Sequence, residues 1–179
     1  MEKIKNNRVK LTYGLFIVYF LILIWIIVFK MQFSLNDLPN FRELNLIPFA
    51  GSMIKNNQLD YSEIIQNVLV FIPFGLYISM IKLNWPAWKK IISIAGVSLF
   101  FELIQFIFAI GGTDITDFIG NTLGGAAGIG LYRVFSKILK DKTNKILNII
   151  ALIGTICSCI LLFALIILRV TGAIIYNVR

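Results

Sequence analysis

The sequence predicts an all-α membrane protein: a bundle of five transmembrane helices, amino terminus cytoplasmic and carboxy terminus outside, in one domain over residues 1–179. Three observations carry this expectation. Hydrophobic residues make up 58% of the chain against 15% charged, with a mean hydropathy of +0.84, too little charge to cover a water-soluble domain. Five apolar runs, each near the roughly 20 residues that cross a bilayer, fill most of the length. Twelve of the seventeen Lys and Arg lie at the amino terminus and in two connections between runs, which fixes orientation by the excess of positive charge inside. That placement also accounts for the net charge of +8 without nucleic acid as a partner.

The predicted helices cover residues 11–31, 62–81, 91–110, 114–135 and 146–168. Lys3, Lys5, Arg8 and Lys10, against Glu2 alone, precede the first uncharged run. A cleaved signal would have a shorter apolar core and a small-residue cleavage site, and neither comes before Lys30 and Met31. Residues 32–60 form a polar connection with Asp37, Arg42, Glu43, Lys55 and Asp60, interrupted by the apolar piece Leu44 to Ala50. That piece is too short to span, and it reads either as an interfacial loop or as a re-entrant flap over a site. In the second helix, Pro73 has no N–H and crowds the carbonyl of Leu69, which predicts a bend that opens room beside Asn67.

Lys82, Lys89 and Lys90, with Trp85 and Trp88 at headgroup depth, mark a cytoplasmic connection into the third helix. Ala95, Ser98, Glu102, Gln105 and Ala109 fall at spacings of three and four and so form one polar stripe on an otherwise apolar helix. Gly111 and Gly112 predict a turn outside. The fourth helix carries Gly120, Gly124 and Gly128 at four-residue spacing, a contact face that admits another helix closely, including one from a second copy in a homo-oligomer. Arg133, Lys137, Lys140, Lys142 and Lys145 then predict a cytoplasmic connection, and Arg169 to Arg179 are left outside. Cys157 and Cys159 sit in the last apolar run, pointing in different directions, as lipid-facing or packing residues.

At about 1.5 Å rise per residue, Asn67, Gln105 and Asn121 each come roughly 10 Å below the outer boundary, with Glu102 slightly deeper. Asp114 and Asp117 stand above them at the start of the fourth helix. Ionisable groups at membrane depth are costly and face a bundle interior or a watery cavity. Simpler roles exist for several of them. Asp114 and Asp117, three apart, fit an N-cap and its third-position partner, and the amides fit bonds across helices worth about 1 kcal/mol or less. Glu102 has no such role, since neither capping nor packing calls for a carboxylate there. With no histidine in the chain, the commonest zinc ligand and the usual neutral-pH base are missing. Carboxylates with amide oxygens suit a hard divalent cation such as Mg2+ or Ca2+, an acid and base pair, or a polar headgroup.

The stretches NVLVFIPFG at Asn67 to Gly75, FELIQ at Phe101 to Gln105 and DITDFIGNTLGG at Asp114 to Gly125 resemble the signature segments of the VanZ-like membrane protein family. NLIPF at Asn45 to Phe49 is similar to its loop motif, so the resemblance spans residues 44–130. It implies a bacterial plasma-membrane protein, some members of the family being linked to resistance to glycopeptides such as teicoplanin. It also implies the same polar set: Asn67, Glu102, Gln105, Asp114, Asp117 and Asn121. Many members carry a basic residue just before the aspartates, where this chain has Gly111 and Gly112. The leading expectation is an outward-facing pocket that binds or modifies a membrane lipid, a lipid-linked wall precursor or an amphiphilic antibiotic. The alternatives are a small permease or ion-coupled carrier with Glu102 as relay, and a structural assembly partner.

Overall fold

A computed structural model of the chain describes residues 2–32, 38, 41–49, 54–55, 58–59 and 61–177, with side chains over 7–32, 38, 41–49 and 61–171. Asp37, Asp60, Ala50 and the side chains of Lys3, Lys5 and Lys55, all used in the sequence reading, lie outside the described residues. Five α-helices, α1 (Glu2–Ile27), α2 (Ser62–Ile81), α3 (Ala87–Phe108), α4 (Ile115–Leu139) and α5 (Thr143–Asn177), form the bundle. Four short strands accompany them: β1 (Phe41–Asn45), β2 (Ile54–Lys55), β3 (Gln58–Leu59) and β4 (Ile110–Asp114). Among the described residues, four helical stretches are long and apolar enough to cross a membrane: Asn7–Ile27, Ser62–Ile81, Ala87–Phe108 and Ile115–Thr171. The last of these contains both α4 and α5, separated by a 3-10 turn at Lys140–Lys142 where Lys140 takes a φ of 47°.

Apolar runs located the helices but not their ends. Helix α1 begins at Glu2 instead of residue 11 and stops at Ile27 instead of 31, and α5 runs on through Arg169 to Asn177. Lys, Arg and Glu are good helix formers, so backbone hydrogen bonding continues past the hydrophobic boundary until something stops it. What stops α1 is a turn in which Lys30 and Met31 both take positive φ, 46° and 59°. The predicted turn at Gly111 and Gly112 is also corrected. The reversal falls at Ala109, a left-handed C-cap with φ 56°, and the two glycines belong to β4. Extended backbone leaves its N–H and C=O groups without intrahelical partners, and β1 supplies them, pairing in parallel from Phe41 opposite Ile110 to Asn45 opposite Asp114.

Helix directions alternate. Lys30 meets Glu63 and Tyr19 donates to the Val70 carbonyl, so α1 and α2 are antiparallel. Ser98 bonds Asn121 and Ile94 packs on Gly125, so α3 and α4 are too. Thr12 bonds Asn148, and seven residues further along both helices Tyr19 lies beside Tyr77, which reaches Thr155, so α5 runs beside α1 in the same direction. The main core of Leu23, Phe71, Phe74, Ile94, Phe101 and Ile129 joins α1 to α4.

The glycine face of α4 meets α2 of the same chain. A Cβ on Gly124 would stand 2.1 Å from the Val68 carbonyl oxygen, one on Gly128 2.1 Å from that of Ile72, and one on Gly75 2.0 Å from that of Gly125. Only hydrogen fits at these three positions. This face is therefore occupied within the chain, and a second copy would have to meet another one.

Candidate functional site

The polar residues gather where β1 and β4 cover the start of α4. Asp114 is the N-cap: its Oδ1 accepts from the Thr116 N–H at 2.7 Å, satisfying one of the free donors of the first turn. Its other oxygen accepts from Asn45 Nδ2 at 3.0 Å, across the strand pair. The Thr116 hydroxyl in turn accepts from the Phe49 N–H at 3.0 Å. These two bonds fasten Leu44 to Phe49 over the helix start, with Leu46 and Ile47 exposed on the surface.

Glu102 completes the cap in an unexpected way. In a capping box the third-position acid reaches back to the N-cap N–H, yet Asp117 does not. Glu102 Oε2, from α3, accepts from the Asp114 N–H at 3.2 Å instead, so capping does call for a carboxylate here. Asp117 is thereby released, and its Oδ1 accepts from Asn67 Nδ2 at 2.6 Å.

The stripe on α3 is its buried face, with Ser98, Glu102 and Gln105 each no more than 2% exposed. Gln105 donates to the Ile27 carbonyl at the end of α1, at 2.9 Å, and Asn121 donates to the Ser98 hydroxyl at 3.0 Å. Each amide spends its nitrogen on the scaffold. Glu102 Oε1, Gln105 Oε1 and Asn121 Oδ1 are consequently buried with no partner among the described residues.

A cavity of about 120 Å³ lies among these groups, between α1, α2, α3 and α4. Asn67, Gln105, Asp117 and Asn121 line it together with Gln66, Lys30 and Glu63, while Glu102 and Asp114 are not part of the lining. Sequence reasoning missed Lys30 and Glu63, whose side chains stand 3.9 Å apart, each about one-third exposed. Lys30 was available as a signal, being the first cation after an uncharged span. Its Nζ would lie 3.5 Å from a Cβ on Gly111, so an ammonium from the turn after α1 occupies the neighbourhood where the resemblance implies a basic residue. Among the described residues no three His, Cys, Asp or Glu side chains converge as a metal-ligand set, so a divalent cation would rely on amide oxygens for most of its shell. A larger space of about 300 Å³ between α1, α2 and α5 is bordered by Tyr19, Pro73, Tyr77 and Ala151 and holds none of the predicted polar residues. Cys157 and Cys159 are free and exposed on α5.

Helices long and apolar enough to span a bilayer, around a buried, acceptor-rich polar cluster beside a strand pair, define a membrane protein with an internal polar site. The chain belongs to the VanZ/LLP1 family, whose profile matches residues 16–136, a range that includes every residue of that site. It is 39% identical over 154 residues to Protein VanZ of Enterococcus faecium, covering 85% of this chain and 91% of the relative. No solved structure matches it.

Proposed function

We propose that this is a bacterial plasma-membrane protein of five spans, amino terminus inside, whose outer polar cavity binds the headgroup of an amphiphile. The ligand class is a membrane lipid or lipid-linked wall precursor, and its binding lowers sensitivity to glycopeptides such as teicoplanin. The break at Lys140 supports reading residues 115–171 as two spans, since 57 helical residues would be about 85 Å long, far beyond a bilayer of about 30 Å.

The observation that carries the reading is the set of buried oxygens left open, Gln105 Oε1 and Asn121 Oδ1 beside the cavity and Glu102 Oε1 close by. An unmet buried acceptor costs about 1–3 kcal/mol, so the site favours a ligand rich in donors, with hydroxyl or ammonium groups. Size narrows this further. Sites for drug-sized ligands run to about 300–1,000 Å³, so a cavity of about 120 Å³ takes a headgroup fragment and leaves the tail in lipid. An enclosed glycopeptide does not fit. Lys30 and Glu63 at the rim suit a group carrying charge of either sign.

The test is expression in a glycopeptide-sensitive bacterium. The wild-type chain should raise the inhibitory concentration of teicoplanin, and Asn121→Leu, present at the same level in the membrane, should not. Unchanged sensitivity with the wild-type chain, or full protection from Asn121→Leu, rules the reading out.

A further inference from the structure

The polar cavity is one-sided in its hydrogen bonding. Gln105 donates its nitrogen to the Ile27 carbonyl, a group that only accepts, so the amide is fixed with its oxygen on the other side. Asn121 donates to the Ser98 hydroxyl, and Asn67 to Asp117. Gln105 Oε1 and Asn121 Oδ1 belong to lining side chains 2% and 0% exposed, and neither oxygen has a partner among the described residues. Glu102 Oε1, a turn away on α3, is a third such oxygen. What satisfies this set must bring donors and no acceptors. A hydroxyl brings one donor together with lone pairs of its own, which would compete for nitrogens already donating. A primary ammonium brings three donors and no lone pair, and a quaternary ammonium brings no donor.

Charge is ordered along the cavity in the same sense. Among the described lining residues, Lys30 faces the carboxyl groups of Glu63 and Asp117. Lys30 and Glu63 are each about one-third exposed and stand at the mouth, between the turn after α1 and the start of α2, where Met31 and Gln66 are exposed as well. Asp117 stands further in, bonded to the buried Asn67. The open acceptors thus lie at the inner end and the lysine at the entrance. A group that enters with its positive tip first meets oxygens inside and leaves an anion beside Lys30. That is the order of charge in a phospholipid headgroup that ends in an amine.

We propose that the cavity holds the primary ammonium of an aminophospholipid, its N–H groups on Gln105 Oε1, Asn121 Oδ1 and the Asp117 carboxyl group, with the lipid phosphate beside Lys30. The inference rests on the reading of the cavity as a headgroup site and narrows it to one chemistry, an amine in place of a hydroxyl. The exposed Met31 at the mouth leaves the tails on the lipid side.

Purified full-length protein in neutral detergent would be titrated with phosphatidylethanolamine, its N-methyl and N,N-dimethyl forms and phosphatidylcholine while its thermal midpoint is followed. These lipids share phosphate, charge and tails and lose one N–H donor at each step. The midpoint shift should be largest with the primary amine, shrink with each methyl group and vanish with phosphatidylcholine. Phosphatidylglycerol, free ethanolamine and magnesium chloride should leave the midpoint near its unliganded value. Gln105→Met removes an open oxygen and should weaken the affinity for phosphatidylethanolamine about tenfold, and Lys30→Met about fivefold. The lipid series is read on the wild-type chain, so its outcome does not depend on how either variant folds. Equal shifts from all four lipids, or a shift from phosphatidylglycerol alone, overturn the ammonium and leave the headgroup reading standing. No shift from any lipid overturns both. A shift from ethanolamine equal to that from the lipid overturns the lipid as the source of the amine, and one from magnesium gives the oxygens to a metal ion instead. Wild-type affinity in both variants overturns the placement.

Discussion

Asp114 and Asp117 are three residues apart on one helix turn, yet the structure gives them separate roles. Asp114 caps α4 and holds Asn45, so Asp114→Ala should cost about 1 kcal/mol for the cap alone, read as a lower thermal midpoint in detergent. Asp117→Asn keeps an oxygen for Asn67 and should leave the midpoint near wild type. Glu102 combines both kinds of demand, since one oxygen takes the Asp114 N–H and the other is unmet. Glutamine preserves an acceptor for that N–H but cannot ionise. Glu102→Gln should therefore accumulate normally in the membrane and lose the protection scored by teicoplanin susceptibility. Full protection would leave Glu102 as a buried support for the cap.

Contact between elements is sharpest where α2 meets α4. Even a methyl group at Gly124 would land on the Val68 carbonyl, whereas Gly130 has nothing within 4 Å. Gly124→Ala should reduce the monodisperse yield in detergent severely, and Gly130→Ala should match or exceed wild type, Ala being the better helix former by about 1 kcal/mol. Equal yields would mean that the two helices do not approach so closely. The glycine spacing was legible in the sequence because four-residue recurrence survives without any knowledge of the partner. The same holds for the stripe of Ser98, Glu102 and Gln105, whose three- and four-residue spacing put it on the buried face. The strand pair was not legible. Five residues of FRELN and five of IGGTD carry no alternation of polar and apolar side chains, and their pairing is a contact between distant segments, with nothing local to announce it. Lys30 was hidden for a related reason: a cation ending an apolar run reads as a boundary, and only the turn at positive φ aims it into the cavity.

For the molecule as a whole, the alternation of helix directions has a direct check. Cysteines placed at residues 33–60 or after 170 should react with an impermeant reagent added outside intact cells, and those at 84–88 or 138–144 should react only after permeabilisation. The reverse pattern would put the polar cavity on the cytoplasmic side and remove its access to the outer leaflet. Joining α5 to α1 depends on the buried pair Thr12 and Asn148, bonded at 3.0 Å. Asn148→Leu leaves the Thr12 hydroxyl only the Arg8 carbonyl, at 3.0 Å, and should lower the midpoint, while Thr12→Val should cost less in that chain than in the wild type, as expected when both partners share one bond.

The parallel pairing of β1 with β4 also has a consequence in time. Asn45 leaves the ribosome 69 residues before Asp114, and α2 and α3 must both be threaded into the bilayer in between. Throughout that interval the first strand has no partner. A nascent chain stalled before Ile110 should thus leave Phe41 to Asn45 open to a protease on that face, and one released past Leu139 should hide it.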